Sequence, residues 1–263
     1  MLKQVAVGSD VTVISCPLPV PGQGILPLNP MLLRAKEPML VDTGAPIHRA
    51  EYLDAVRSLI DPKDVRWIFI SHDDRDHTGN LIQTLEMCPR ARLVTTFVGV
   101  GRLAEEWGLP MDRVYFLNDG EKLGLGDREI TAVRPPFIDA PSTRGFFDPK
   151  SETLYSVDSF GACVEELVDD LEEVPADRYE QGFNWFNRVN HTWFDLVDPV
   201  KFERHLDRIR RLAPKNVISY HGPVARGRTP QLLDMMSAVL SMELVALPDQ
   251  AGLEALLTQL AKG

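Results

Sequence analysis

Cysteine is scarce in this 263-residue chain, with three residues, Cys16, Cys88 and Cys163, at unrelated spacings. An odd, scattered count excludes a disulfide framework or a zinc ribbon. It points to a reducing compartment, the cytoplasm, with each thiol serving as a small core hydrophobe. Long apolar runs are missing as well: none approaches the ~18 residues of a membrane span. There is no basic run, and 28 Lys and Arg against 38 Asp and Glu give a formal net charge of −10. That balance argues against nucleic acid or an anionic membrane as partner. The first twenty residues lack a charged segment leading into an apolar one, so no signal peptide is expected. Phosphate-cradling glycine motifs, repeats and Gly/Ser tracts are also lacking. Nucleotide-dependent mechanisms are therefore not expected, and residues 1–263 are read as one domain.

What is present is globular: 44% hydrophobic and 25% charged residues, enough to bury a sizeable core. The first ~45 residues read as short strands joined by turns. Residues 16–25, with three prolines and two glycines, read as a loop. An apolar strand runs into Asp42-Thr43-Gly44, a helix is expected over 47–60 before Asp61-Pro62, and a doubly covered strand over 65–70. Helix and strand then alternate: helix 78–87, strand 92–97, helix 101–107, strand 114–117, a hairpin into strand 129–133, and strand 153–157. A helix over 200–212 carries Phe202, Leu206, Ile209 and Leu212 on one stripe, followed by a strand over 217–220 and a helical tail from Pro230. Strands mixed with helices, with hairpins in both halves, predict an α/β fold of two sheets flanked by helices.

Chemistry concentrates in Ser71-His72-Asp73-Asp74-Arg75-Asp76-His77-Thr78-Gly79-Asn80. His72, Asp74, Asp76 and His77 place four potential ligands within six residues, immediately after a buried strand. A strand end is a rigid platform from which alternate side chains of a loop converge, and imidazole with carboxylate suits Zn, Fe or Mn. The competing reading is a polar turn in which Asp76 caps the next helix.

His72-x-Asp74-x-Asp76-His77 resembles the His-x-His-x-Asp-His signature of the metallo-β-lactamase superfamily, with a carboxylate at the second histidine. Asp42-Thr43-Gly44, Tyr155-Ser156-Val157-Asp158-Ser159-Phe160-Gly161 and Ser219-Tyr220-His221-Gly222-Pro223 resemble one branch in particular, the flavodiiron and oxygen-binding diiron proteins. The similarity covers roughly residues 5 to 245. It implies an αββα four-layer sandwich with two metal ions at one end of the sheets. Carried over by position, His72, Asp74 and Asp139 hold one metal, Asp76, His77 and His221 the other, and Asp158 bridges. Asp139 stands where the family has a histidine, since no histidine occurs between His77 and His191.

Four carboxylates offset two divalent ions, which weakens their Lewis acidity and favours iron, or manganese, over zinc. The expectation is therefore a diiron protein that binds or reduces dioxygen, nitric oxide or peroxide. A metal-dependent hydrolase of an ester, thioester or phosphoester, and a non-catalytic oxygen sensor or degenerate binding module, are the competing readings. The resemblance implies a flavin module beyond this domain and a homodimer. Neither that module nor a four-cysteine rubredoxin set is found in the 263 residues, so electrons are expected from a separate donor protein. Tyr220 is the expected catalytic residue, donating a hydrogen bond to an oxygen atom at the metals. Asp42 is expected to support the ligand loop. The aromatic-rich stretch from Tyr179 to Phe194 reads as a packed helix, with an apolar wall over the metals as its functional reading and His191 as a conceivable replacement ligand. His48 and His205 are expected on solvent-facing helix surfaces.

Overall fold

The computed structural model describes residues 1–243 and 245–260. Strands β1 (Lys3–Val7), β2 (Val11–Val20), β3 (Gly24–Leu28), β4 (Met31–Leu33), β5 (Met39–Val41), β6 (Trp67–Phe69), β7 (Arg92–Thr95) and β8 (Val114–Phe116) form one sheet, in the order β1-β2-β4-β5-β6-β7-β8 with β3 on β2. Strands β9 (Lys122–Gly124), β10 (Glu129–Val133), β11 (Gly145–Asp148), β12 (Thr153–Tyr155), β13 (Asn216–Ile218) and β14 (Ala225–Arg226) form the second, in the order β14-β13-β12-β11-β10-β9.

The period-two alternation of the central strands sorts their side chains into separate apolar compartments. Met39, Val41, Trp67 and Phe69 meet Phe146, Tyr155 and Ile218 of the other sheet, with Phe69 and Phe146 edge-on at 5.4 Å. Leu40, Ile68 and Leu93 point the other way, against α1 (Arg49–Leu59), α3 (Leu81–Met87) and α4 (Phe97–Ala104). Leu154 and Val217 face α5 (Ala176–Asn190), α6 (Pro199–Leu212) and α7 (Thr229–Val239). Helix, sheet, sheet and helix layers follow, which is the αββα sandwich. A four-residue helix, α2 (Arg75–Thr78), sits in the ligand loop, and α8 (Gln250–Leu260) closes the described chain. Among the described residues no helix is long and apolar enough to cross a membrane.

Some local expectations change. Residues 16–25 are not a loop: β2 and β3 pair antiparallel through them, with Pro17 opposite Pro27 and Pro19 opposite Ile25. Prolines at two-residue spacing leave the ladder's hydrogen bonds to the intervening Cys16, Leu18 and Val20, and β3 lies off the main sheet path, where proline is tolerated. The helix expected at 101–107 starts at Phe97, because Thr96 caps it by accepting from Gly99 N at 2.9 Å. The helix expected at 78–87 is two, α2 and α3, interrupted at Gly79-Asn80. His48 and His205 are half-buried, each with Nε2 on a carbonyl, Pro17 at 3.1 Å and Pro135 at 2.8 Å.

Candidate metal centre

Strands β5, β6 and β7 run parallel, as do β12 and β13. Their C-terminal ends open on one side of the sandwich and deliver Asp42, Ser71-His72, Asp158 and Ser219-His221 to one place. All seven residues expected to bind metal are gathered there. Ligand atoms of His72, Asp74 and Asp139 lie within 4.8 Å of one another, as do those of Asp76, His77 and His221, and those of His72, His77 and Asp158. The first set forms an outer triad. Asp74 and Asp139 stand on loops, with side chains 52% and 18% exposed, while His72 is fully buried. The second, inner triad is rooted deeper, on two buried histidines.

Asp158 lies between them. Its Oδ2 is 3.7 Å from His72 Nε2, and its Oδ1 is 3.1 Å from His77 Nε2 and 3.6 Å from His221 Nε2. Three of these buried atoms, His72 Nε2, His77 Nε2 and Asp158 Oδ1, have no hydrogen-bond partner. Orphaned buried polar atoms are rare and costly, and here they converge, which fits divalent cations seated among them.

Each imidazole is turned so that Nε2 faces this space. His77 Nδ1 donates to Asp42 Oδ2 at 2.9 Å, and His221 Nδ1 to the Pro27 carbonyl at 3.1 Å. Ser71 gives its hydroxyl proton to Asp42 Oδ2 at 2.7 Å, which leaves its oxygen to accept from His72 Nδ1 at 3.2 Å. Such partners set the tautomer that frees the other nitrogen for metal. Asp42 thus supports the loop, as expected. It also accepts from Ser71 N at 2.8 Å and from the Tyr155 hydroxyl, and its backbone is left-handed at φ 53°. Val157, immediately before Asp158, is likewise left-handed at φ 56°, an unfavourable state for a β-branched residue that the surrounding bonds enforce.

Asp74 sits at the N-terminal boundary of α2, yet its carboxylate makes no capping bond and turns to His72 Nε2 at 3.5 Å. The capping reading of the motif fails there; it is Asp74 rather than Asp76 that occupies the cap position. Gly79 is required behind the loop, since a Cβ would lie 2.7 Å from the Gly44 carbonyl and 2.6 Å from Pro46 N. Asn80 then ties both loops by donating to the Thr43 carbonyl at 2.7 Å.

Electrostatics follow from this crowding. Burial and His77 oppose charge on His72, but Asp158, Asp74 and Asp139 outweigh them and hold its pKa up at about 9. Burial likewise opposes charge on His77, and Asp76, Asp42 and Asp158 overcome it, raising that group well above its usual range. Burial and Asp158 push Asp139 up to about 6. Despite its burial, Asp158 is held well below the carboxylate range by His72, His221 and His77. The surrounding carboxylates thus favour positive charge on His72 and His77, as they would favour a cation there.

Tyr220 is fully buried. Its hydroxyl donates to the Asp76 carbonyl at 2.5 Å, and its ring stacks on His77 at 3.6 Å between centroids. It holds the inner triad from beneath rather than presenting its proton to the opening. The aromatic stretch forms α5 and the turn after it, the packed helix expected of it. Tyr179 and Phe183 pack in the core, while the Phe186 ring reaches 5.2 Å from that of His221. His191 stands outside the three ligand groups, stacked on Phe194 at 5.2 Å, and burial lowers its pKa to about 4. Arg75 points away, to Glu106 at 2.8 Å. Nothing in the sequence marks Tyr155 or Asn29 for a part in the site. Asn29 steadies the His221 loop by donating to the Ser219 and Gly222 carbonyls at 2.9 and 2.7 Å. Only the position of Ser71, beside His72, hinted at a role.

Comparison with known proteins identifies relatives of the chain. A family model described as "ODP family beta lactamase" matches residues 27–222. The chain is 31% identical over 209 residues to Diflavin flavoprotein A 1 of Synechocystis sp. (strain PCC 6803), covering 78% of this chain and 35% of that protein. It is 24% identical over 204 residues to the rubredoxin-oxygen oxidoreductase of Megalodesulfovibrio gigas, covering 76% of this chain and 49% of that one. The solved rubredoxin oxygen:oxidoreductase from Desulfovibrio gigas superposes with a TM-score of 0.79 at 19% identity, over 91% of this chain and 61% of that one. The chain therefore spans about a third of the first relative and about half of the second.

Proposed function

The chain belongs to the ODP family of β-lactamase-like proteins, and on that premise we propose that it is a diiron protein that reduces dioxygen, nitric oxide or peroxide with electrons from a separate donor protein. The observation that carries this reading is the carboxylate content of the site: Asp74, Asp76, Asp139 and Asp158 converge with three histidines. Four ionised carboxylates neutralise two divalent ions. Such a site is a weak Lewis acid for hydrolysis and a good host for more highly charged, oxidised metal. The name of the M. gigas relative, rubredoxin-oxygen oxidoreductase, supports the same class of chemistry and a protein donor. A pair of chains is part of the reading, following the family resemblance.

Here His72, Asp74 and Asp139 would hold the outer metal, Asp76, His77 and His221 the inner one, and Asp158 both. Iron held by these residues would supply the redox couple for the small oxidant. The chain's own residues do the rest. Asp42, Ser71 and the Pro27 carbonyl fix the imidazoles, Tyr220 fixes Asp76 and His77, and Phe186 walls the inner side against water.

The test is to reduce iron-loaded protein without air, then add dioxygen or nitric oxide and follow each with an electrode. Consumption that scales with added reductant is expected. Consumption of neither gas, with ester or thioester cleavage by the zinc-loaded protein, would overturn the proposal in favour of hydrolysis.

A further inference from the structure

The loop that carries Asp139 runs between β10 and β11; Phe137 anchors it in the core, and hydrogen bonds hold the turn that follows. Thr143 N donates to the Ala140 carbonyl at 3.1 Å, and Thr143 Oγ1 to Asp139 Oδ1 at 3.2 Å, so the turn steadies its own carboxylate. Two further bonds fasten this turn to the ligand loop after β6. Arg144 N donates to the Ser71 carbonyl at 2.9 Å, and Ser142 Oγ to Asp73 Oδ1 at 2.5 Å. The second oxygen of Asp73 accepts from Arg102 Nε of α4 at 2.6 Å. Ser142 is fully buried and the Asp73 side chain is 13% exposed, so the clasp is well shielded from water. Asp73 lies between His72 and Asp74 in sequence but belongs to none of the three ligand groups; its carboxylate faces Ser142 instead.

The inner triad is anchored differently. His77 rests on Asp42 and Tyr220, and His221 on the Pro27 carbonyl, all buried and none involving Asp73. Asp42 and Ser71 serve His72 as well as His77, whereas the Asp73–Ser142 clasp fastens only the turn of Asp139 in the outer triad.

We propose that Asp73 is a positioning residue that sets Asp139 as a ligand of the outer metal, so that the two metals are held unequally, the inner one independently and the outer one through the Asp73–Ser142 clasp. This rests on the dinuclear reading above. An aspartate offers acceptors to both Ser142 and Arg102, whereas an asparagine offers one oxygen and presents an NH₂ group to the other donor. Loss of a partner that orients a ligand typically lowers metal affinity about 10- to 100-fold.

The experiment is titration of the metal-depleted full chain with Mn²⁺, counting free ion by electron paramagnetic resonance, with folding checked by circular dichroism. The natural chain should take up two ions in two steps. Asp73→Asn and Ser142→Ala should leave the first step unchanged and weaken the second by about 10- to 100-fold. The double variant should be no weaker than either single one, and Ser142→Thr should restore the second step. Ser142→Ala removes only a hydroxyl and carries the test alone if Asp73→Asn does not fold. Equal weakening of both steps, or of neither, would overturn the inference while leaving the dinuclear site standing. Uptake of a single ion by the natural chain would overturn the dinuclear reading itself.

Discussion

Asp42 and His77 meet at 2.9 Å at the base of the metal centre, both with no exposed side-chain surface. The same carboxylate accepts from Ser71 N, Ser71 Oγ and the Tyr155 hydroxyl. Removing it leaves several buried donors and a histidine without their partner. Asp42→Ala should therefore destabilise the fold by about 3–5 kcal/mol, measured by urea unfolding of the metal-depleted chain. A loss below ~1 kcal/mol would show that water replaces the carboxylate and that the pocket is looser than described.

The raised histidines make the metal-depleted protein sensitive to pH in a definite direction. His72 goes from an ordinary value of 6.5 to about 9 in the fold, and His77 is raised well above 6.5. A group raised on folding binds its proton more tightly in the native state. Its stabilisation is complete below about pH 6.5 and is lost as pH climbs through about 9. The melting temperature of metal-depleted protein should fall across that interval. With metal bound, cations replace those protons, so the fall should disappear and metal affinity should rise with pH. Parallel melting profiles with and without metal would contradict the site.

Asp158 faces both triads through different oxygens. On the proposed dinuclear reading, Asp158→Asn removes a charge that both metals would share, and the purified variant should hold fewer than one ion per chain. Retention of two by elemental analysis would remove Asp158 from the bridging position.

Much of this centre is readable in the sequence, and unevenly so. Four ligands packed between His72 and His77 declare themselves by density, because few structural roles need that many imidazoles and carboxylates after a buried strand. Asp158 and His221 are single residues in ordinary surroundings, and only resemblance to a known pattern picks them out. Asp73, Ser71, Ser142 and Asn29 escape notice because any loop contains such residues; their roles exist only once the chain is folded. In the fold, a nearly continuous apolar run such as residues 65–70, which contains the short β6, is plain. Pro17 and Pro19 masked a hairpin because their two-residue spacing matters more than their number. The two-residue β14 is too short to show a period.

Tyr220 is assigned a supporting part, and that is testable. Tyr220→Phe keeps the ring on His77 and leaves the Asp76 carbonyl without its donor. It should cost about 1–3 kcal/mol of stability, retain both metals and preserve most of the gas consumption. Loss of turnover with both metals in place would instead make the hydroxyl a proton donor to the oxidant.

The central claim, an iron pair in a carboxylate-rich site, is tested most directly by elemental analysis of protein purified without a metal-affinity tag, with its optical spectrum in air. Two irons per chain and a near-ultraviolet absorption that a reductant bleaches is the predicted result. Two zincs with a featureless spectrum, or one metal or none, would contradict it.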